Sequence, residues 1–586
     1  MPTNVLDSIW ARALVAAASG ALLAALAPPL NLHWLHWVAY LPMFWVLRSE
    51  RARANRWLGY LYGIAAAATI FSWLIDTITI FSNLPWVLAV VVLFLYSAVF
   101  GAPYTLTWAL VHPLRRRLGT GWVFAWPAAQ VLIEFVCTYV LLFPYQQGVT
   151  QYRVPLTWQL VSVTGIYGLT YLILLVNAVW AEALYRRRDA AEGKEGPTGL
   201  PLVPAAVAGV AVLGTVSFGK VRYEAVEAQL RAEARELRVA QLQSSTTMEE
   251  RLDTFARAGF QEWIEVTQRV PAGSADLVIW PEGACPYSLN PTERDARVPF
   301  SELAGHDARC DGTGVSSGPA CDAASDAWCR EKGHISGMGP RSETKGDKAV
   351  IRCLEESRAA KALGELAAGG DFELVVGGGT RLRDVDPEMG ETRVRVFNSV
   401  YWYDRAGKEI GHYDKMVPLP FGEYLPFGDY VPWLGELIGG IGNFKAGTDP
   451  VVFEGVVRAA TPICYEAILP ALCRQYVEPE ALINVTNDAW FGDGAAPHLH
   501  AMLAAIRATE LGIPVIRSGY TGISFIVEPH GVIHSETEPF ADVARIVHVR
   551  VAKVPTLYAR FGDWFVLLCG IGLGAGWLIA PRVRSS

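Results

Sequence analysis

The chain has 586 residues, too many for one ordinary hydrophobic core, so we expect at least two domains. Apolar residues make up 52% of the chain, a high fraction for a soluble protein of this length, and they concentrate in residues 1–220 and 564–580. The net charge of −7 offers no basic surface and excludes a typical nucleic-acid-binding protein.

Seven apolar runs fill the first part of the chain, and an eighth lies near its end. They lie at about 10–30, 34–47, 57–81, 85–112, 122–143, 156–184, 200–218 and 564–580. A helix needs about 20 apolar residues to cross a bilayer, and most of the runs have this length. The run 34–47 is shorter and contains His36, so hydropathy alone does not establish it as a span.

Arginine clusters decide whether the short run is counted. They lie at Arg48, Arg51, Arg53 and Arg56, at Arg115, Arg116 and Arg117, at Arg186, Arg187 and Arg188, and at Arg582 and Arg584. With eight spans every cluster falls on the same side of the membrane, whereas omitting the run 34–47 splits the clusters across both faces. The positive-inside rule therefore predicts eight transmembrane helices with both termini in the cytoplasm.

This topology divides the chain into three parts. Residues 1–220 hold helices one to seven, residues 221–560 form a domain outside the cytoplasm, and residues 561–586 hold helix eight and a cytoplasmic tail. The first run has no clear cleavage site and further spans follow it, so we interpret it as a helix rather than a signal peptide.

The outside domain alternates buried strands with helices. Strands are predicted at 237–243, 277–280, 374–377, 396–403, 408–413, 451–453, 459–464, 481–485, 515–517 and 524–527, and helices at 250–269, 355–368 and 497–511. Helices and strands alternate near both ends of the domain, and its middle is rich in strands. This pattern favours a layered α/β sandwich with helices outside two sheets.

Segment 295–350 interrupts the pattern with a polar stretch rich in Gly, Ser and Asp. It carries Cys310, Cys321 and Cys329, and Cys353 follows it. On an oxidising face, four cysteines would suit two disulfides that staple an insertion with little core, in any of three pairings. A zinc site is the alternative, although the spacing has no C-x₂-C pair.

Three residues whose side chains could take part in catalysis lie at the ends of predicted strands or just after them. Glu282 follows Leu277–Trp280, Lys415 follows the strand that ends at Tyr413, and Cys464 ends the strand that begins at Ala459. Taken singly, they could be a solvated acid, a surface lysine and a core thiol. Taken together they suit one catalytic mechanism. A carboxylate can activate the thiol as a nucleophile, and a lysine can stabilise the oxyanion that forms when the thiolate attacks a carbonyl.

The motifs around these residues resemble a known family. The strings are Trp280-Pro281-Glu282, Tyr413-Asp414-Lys415, Ile463-Cys464-Tyr465-Glu466, the run from Met416 to Pro426, Asn487-Asp488-Ala489-Trp490-Phe491-Gly492, and the run from His498 through Arg507, Glu510 and Arg517 to Ser524. They are similar to the nitrilase (carbon–nitrogen hydrolase) superfamily. With eight flanking spans, the chain resembles the apolipoprotein N-acyltransferase family of bacterial inner membranes over nearly its whole length.

The resemblance implies an α-helical membrane bundle of eight transmembrane helices joined to a nitrilase-like αββα sandwich that lies in the periplasm. It implies that Cys464 carries a fatty acyl chain as a thioester, that Glu282 is the general base, and that Lys415 holds the oxyanion together with the backbone N–H of Tyr465. Glu423 and Glu466 match further acids of the family and would position Lys415 and the incoming amine. Glu423 as an ordinary turn acid is the alternative.

The implied reaction is ping-pong. A phospholipid donates the acyl chain to Cys464, and the α-amine of a diacylglyceryl-cysteine at the N-terminus of a lipoprotein accepts it. Membrane lipids are the expected surroundings, and no metal or cofactor is expected. A membrane-tethered amidase or nitrilase acting on small C–N substrates is an alternative with the same fold, and a transporter with a ligand-binding outside domain is an alternative from another class.

Two features depart from the family pattern. The loop after the first strand of the outside domain, Ser244 to Glu249, lacks the tryptophan that the family often carries there. The insertion at 295–350 is larger than expected and could be a lid or a docking surface for the protein substrate. A further segment, 433–445, mixes apolar residues with glycines, which favours a mobile arm that touches lipid, although core packing is possible.

Overall fold

The chain forms an apolar helical half followed by a strand-rich half. The computed structural model describes residues 8–47, 52–82, 85–245, 256–310, 319–332, 336–338, 348–355, 357–385, 392–426, 428, 430, 442–476, 478–492 and 494–579. The predicted arm lies largely outside the described residues, because 431–441 are not among them. The same holds for most of the loop that lacks a tryptophan, since the description stops at 245.

The helical half contains eleven α-helices among the described residues. They are α1 Ile9–Leu26, α2 Leu41–Val46, α3 Ala52–Ile70, α4 Leu74–Ser82, α5 Trp86–Ala109, α6 Val111–Leu118, α7 Trp122–Val140, α8 Pro155–Trp158, α9 Val161–Thr164, α10 Ile166–Ala191 and α11 Leu202–Glu233. Helices α3 and α5 pack closely because both carry glycine at their crossing, where an added Cβ at Gly63 would lie 2.8 Å from the Cα of Gly101.

Several of these helices can cross a membrane. By length and composition, the described residues contain four such helical stretches: α1, Trp86–Val140, α10 and α11. The pair α3 and α4, bent by 53°, makes a fifth if it is counted as one span. The predicted second span is not one continuous helix but a short 3₁₀ turn, His33–Trp37, followed by the six-residue helix α2. Helix α11 extends past the seventh apolar run, which ends at about 218, and continues unbroken to Glu233.

Fifteen strands follow, together with eight more α-helices in the described part of the chain. The strands are β1 Arg235–Gln243, β2 Leu277–Trp280, β3 Thr292–Pro299, β4 Ser336–Met338, β5 Lys348–Glu355, β6 Glu373–Val385, β7 Thr392–Tyr403, β8 Glu409–Asp414, β9 Val452–Glu454, β10 Arg458–Ala460, β11 Ala481–Thr486, β12 Val515–Gly519, β13 Phe525–Val527, β14 Ile533–His534 and β15 Val543–Val551. The helices are α12 Ala256–Gln268, α13 Phe300–His306, α14 Pro319–Glu331, α15 Arg358–Gly370, α16 Pro470–Cys473, α17 Ala495–Leu511, α18 Leu557–Phe561 and α19 Trp564–Ile579.

Two six-stranded sheets form the predicted sandwich. One has the order β15-β1-β2-β6-β7-β8 and the other β14-β13-β12-β11-β10-β9. Strands β1, β2 and β6 are parallel, as are β10, β11 and β12, so the carboxyl ends of the central strands lie at one edge of each sheet. That edge is where the loops carrying Glu282 and Cys464 begin.

Strand β2 shows why helices must cover the sheets. Its residues alternate in direction: Leu277 and Ile279 pack into the core between the sheets, while Val278 and Trp280 pack under α12 and α15. All four are buried, so both faces of the strand need a cover. This burial on both faces is what the continuous apolar run in the sequence indicated.

The insertion forms its own small subdomain. Its three-stranded sheet has the order β3-β5-β4, and α13 and α14 pack together beside it. Cys310 and Cys321 form a disulfide, and Cys329 is disulfide-bonded as well. The zinc alternative is therefore wrong for these cysteines, because oxidised sulfurs cannot act as thiolate ligands.

Candidate active site

Three loops from the two sheets meet at one place. Glu282 lies two residues after β2, Lys415 directly follows β8, and Cys464 lies four residues after β10. The first two belong to one sheet and the third to the other, so only the packing of the sheets brings them together. Lys415 Nζ lies 3.3 Å from Glu282 Oε1. The predicted strand 459–464 is shorter than expected, because β10 ends at Ala460 and Cys464 begins a 3₁₀ turn.

Lys415 is buried between two carboxylates. Its Nζ contacts Glu282 Oε1 at 3.3 Å and Glu423 Oε2 at 2.7 Å, and its side chain is 1% exposed. Burial lowers the pKa of Lys415, but the negative charges of Glu282 and Glu423 outweigh burial and hold that pKa well above its ordinary value. Lys415 is therefore a permanent buried cation.

Two asparagines complete this cluster, and neither was predicted as a site residue. The Asn398 amide nitrogen donates to Glu282 Oε1 and to Glu423 Oε1, each at 2.6 Å, and the Asn487 backbone N–H donates to Glu282 Oε2 at 2.8 Å. Each of these bonds fixes the position of one of the two carboxylates. The available signal was weak: Asn398 is a polar residue in an apolar strand, and Asn487 stands in a family string whose contacts the sequence does not reveal.

Cys464 is held in an unusual backbone conformation. Its φ is +51°, a left-handed value that non-glycine residues rarely adopt and that persists only where neighbouring structure imposes it. Burial raises the pKa of the Cys464 thiol, and the charge of Glu282 raises it further, while Lys415 lowers it. The resting thiol is therefore neutral and needs a base before it can act as a nucleophile.

Glu466 ties the nucleophile turn to the loop after β8. Its Oε2 accepts the Ile463 N–H at 2.8 Å, and its Oε1 accepts the N–H groups of Met416 at 2.7 Å and Val417 at 3.0 Å and the Tyr413 hydroxyl at 2.9 Å. Burial raises its pKa to about 7, even though these bonds and nearby positive charge act in the opposite direction. Glu466 thus holds the backbone on either side of the site.

Tyr465 joins the turn to the helical half. Its hydroxyl donates to the Leu142 carbonyl at 2.6 Å, and its ring packs edge-on against Phe143 with ring centroids 5.9 Å apart. Phe143 in turn packs against Trp73, which also contacts Phe491 of the strand-rich half. The three predicted residues therefore lie at the junction of the two halves.

One cluster among the described residues has the geometry of a metal site. Ligand atoms of Glu227, Glu528 and His530 lie within 4.8 Å of one another. Arg550 donates to both carboxylates, with Nη2 3.0 Å from Glu227 Oε2 and Nε 2.7 Å from Glu528 Oε1. The guanidinium already neutralises these acids, so the cluster is an ion-pair network between α11 and the sheets.

Comparison with known proteins matches both halves of the chain. A family model described as apolipoprotein N-acyltransferase N-terminal domain matches residues 19–179, and one described as carbon–nitrogen hydrolase matches residues 237–556. A protein of Geobacter metallireducens named apolipoprotein N-acyltransferase is 27% identical, over 98% of this chain and 96% of its own. A protein with the same name from Brucella melitensis is 28% identical, over 89% of this chain and 87% of its own. Another from Bradyrhizobium diazoefficiens is 26% identical, over 94% of this chain and 92% of its own. The resemblance predicted from the motifs is confirmed.

Proposed function

The chain belongs to the carbon–nitrogen hydrolase family, and on that premise we propose that it transfers a fatty acyl chain from a phospholipid to the N-terminal α-amine of an S-diacylglyceryl-cysteine, through a thioester on Cys464. The observation that carries the proposal is the buried cluster of Glu282, Lys415 and Cys464, seated against the apolar helical half through Tyr465. The match of both halves to apolipoprotein N-acyltransferases supports it.

In the first half-reaction, Glu282 removes the thiol proton and the Cys464 sulfur attacks the ester carbonyl of the phospholipid. The Lys415 ammonium and the backbone N–H of Tyr465 stabilise the oxyanion. The intermediate collapses to a thioester, and the lysophospholipid leaves as an alcohol after taking the proton from Glu282. Glu423 keeps Lys415 in place through the contact of 2.7 Å.

In the second half-reaction, the α-amine attacks the thioester carbonyl and Glu282 accepts the ammonium proton. Collapse of the intermediate forms the amide and expels the Cys464 thiolate, which takes the proton back from Glu282. Glu466 positions the turn that carries the sulfur in both steps, through its bonds to Ile463, Met416 and Val417.

The membrane setting forms part of the proposal. Eight spans would be α1, the segment 33–46, the bent pair α3 and α4, α5, α7, α10, α11 and α19. Both termini would be cytoplasmic, and residues 221–560 would lie on the periplasmic face of a bacterial inner membrane. Exposed large apolar side chains on these helices, such as Phe94, Leu213 and Leu568, support contact with lipid.

A lipid substrate suits the mouth of the site better than a small amide. The loop that carries Glu423 exposes the aromatic side chains of Phe421 and Tyr424 beside it. Exposed aromatic side chains beside a buried thiol favour the binding of an acyl chain that arrives from a bilayer, because they offer it apolar contacts. A small soluble amide has no apolar chain to make such contacts.

Intact-mass measurement after incubation with phospholipid tests the proposal. We expect an adduct of one fatty acyl group on the wild type and on a matched Cys473→Ser variant, which loses another buried free thiol. We expect none on Cys464→Ser. A diacylglyceryl peptide with a free α-amine should then remove the adduct. Absence of the adduct together with ammonia release from small amides would establish the amidase instead.

A further inference from the structure

A second cluster of buried polar groups lies behind the nucleophile turn and takes no part in the steps above. Asn484 lies in β11, Arg517 lies in β12, and Asp488 begins the 3₁₀ turn after β11. Each is at most 1% exposed. Burying an ion pair and an amide at one place costs solvation, so the arrangement calls for an explanation beyond packing.

The orientation of the Asn484 amide follows from Arg517. The guanidinium has only donors, so the Nη1 bond to Asn484 requires the amide oxygen on that side. The amide nitrogen must then face the other way, where it donates to the Pro462 carbonyl at 2.9 Å and to the Cys464 carbonyl at 3.4 Å. One of these carbonyls belongs to Cys464, the strained residue that carries the sulfur, and the other lies two residues before it.

Asp488 holds Arg517 in the position that the orientation of the Asn484 amide requires. Its Oδ2 accepts from Arg517 Nη2 at 2.7 Å, and its Oδ1 accepts from His500 Nδ1 at 2.8 Å. Burial raises the pKa of Asp488, but the positive charge of Arg517 and the contact with His500 keep it below its ordinary value, so the carboxylate is ionised. The Arg517 guanidinium thus links the ionised Asp488 carboxylate to the Asn484 amide that binds the nucleophile turn.

Thr486 belongs to the same cluster and acts on the sulfur. Its hydroxyl donates to Asp488 Oδ1 at 3.1 Å, and its influence lowers the pKa of the Cys464 thiol, against the larger effect of burial. The cluster therefore acts on the backbone of Cys464 through Asn484 and on its thiol through Thr486.

We propose that Asn484, Asp488 and Arg517 are positioning residues that impose the left-handed conformation of Cys464 and thereby aim its sulfur at Glu282. The inference requires Cys464 to be the nucleophile of the proposed function, but it does not depend on the acyl donor. It assigns a role to the Asn487-to-Gly492 string and to Arg517, whose purpose the sequence left open.

Two conservative variants test the positioning role. Arg517→Lys keeps the charge beside Asp488 but loses the two-armed guanidinium that also holds the amide. Asn484→Asp keeps the shape and the acceptor for Arg517 but turns an oxygen toward the two carbonyls. We expect the rate of thioester formation to fall about 10-fold in Arg517→Lys and about 100-fold in Asn484→Asp, since small displacements of reacting groups have effects of this size.

The readout separates positioning from general instability and from the identity of the substrate. Phospholipid acylation is measured beside alkylation of Cys464 by iodoacetamide, followed by peptide mass, which needs no lipid. Arg550→Gln is the control, because it breaks an ion pair with another buried carboxylate, Glu528, outside the nucleophile turn. Its alkylation rate should stay within about twofold of the wild type, even where it lowers the melting temperature as much as Arg517→Lys.

Slow alkylation in both test variants with a normal rate in the control supports the role. If Arg517→Lys folds and reacts at the wild-type rate, the proposal is overturned, and equal slowing in Arg550→Gln overturns it as well. Should Arg517→Lys fail to fold, Asn484→Asp carries the test alone with the same criteria. Normal alkylation of the wild type without any lipid adduct would instead count against the proposed function and leave the alkylation comparison valid.

Discussion

Asn398 offers a sharp test of the charge arrangement around Lys415. Leucine has the same branching as asparagine, so Asn398→Leu removes two hydrogen bonds with little change in shape. Those bonds go to Glu282 and Glu423, each at 2.6 Å. Both hold a carboxylate in place beside Lys415, so their loss lets the two acidic side chains move.

The expected magnitude follows from the hydrogen bonds. A hydrogen bond to a charged acceptor is worth about 1.5–3 kcal/mol, and about 1.4 kcal/mol corresponds to a tenfold change in rate. Thioester formation needs the Glu282 carboxylate held in reach of the thiol, so its rate should fall by about 10- to 100-fold in the variant.

Single-turnover acylation of Cys464, measured on the variant and the wild type, gives the result. Asn290→Leu is the control, because its amide donates to the Arg381 carbonyl at 2.9 Å and contacts neither acid. A wild-type rate in Asn398→Leu, with the protein folded, would refute the role assigned to this amide. A similar loss of rate in Asn290→Leu would refute it too.

Three further predictions follow from contacts elsewhere. Burial raises the pKa of Glu528, but hydrogen bonds from a histidine and from Arg550 lower this pKa to about 2. As pH falls from about 4.5 to 2, the unfolded state therefore binds the proton first and the folded state loses stability. Acid-unfolding curves of Arg550→Gln should be less steep in this pH range. Replacing both Cys310 and Cys321 by serine should cost the insertion roughly 3 kcal/mol and raise its hydrogen exchange, while thioester formation stays unchanged. Tyr465→Phe loses the bond of 2.6 Å to the helical half and should lower stability by about 1 kcal/mol, seen as a lower melting temperature than that of the wild type.

The sequence predicted the local elements of the outside domain well. Continuous apolar runs such as Leu277–Trp280 and Ala481–Thr486 are strands buried on both faces, because parallel strands between helices exclude water from both sides. Glu282, Lys415 and Cys464 could be proposed as site residues because each follows a strand within a specific motif. The prediction for Ala459 to Cys464 was less accurate, since the strand stops at Ala460 and a strained turn takes over.

Contacts between distant residues could not be predicted in the same way. Asn398 lies 116 residues after Glu282, and Glu466 lies 50 residues after Met416, so no local pattern links either pair. The pairing of Cys310 with Cys321 was one of three equal possibilities on spacing alone. The sequence also did not predict that the second apolar run, 34–47, forms a 3₁₀ turn and a short helix.

By itself, the sequence determined the two halves of this protein, the motifs that carry its three proposed catalytic residues and the family to which those motifs point. These properties depend on the order of apolar and polar residues along the chain, which is local information. Tertiary structure alone decided how the proposed catalytic groups meet: Lys415 between two acids, Cys464 in a left-handed turn, and Tyr465 against the helical half. The physical reason is that burial and electrostatic contact arise only when the two sheets and the helices pack together, and those interactions set the charge state and the direction of each group.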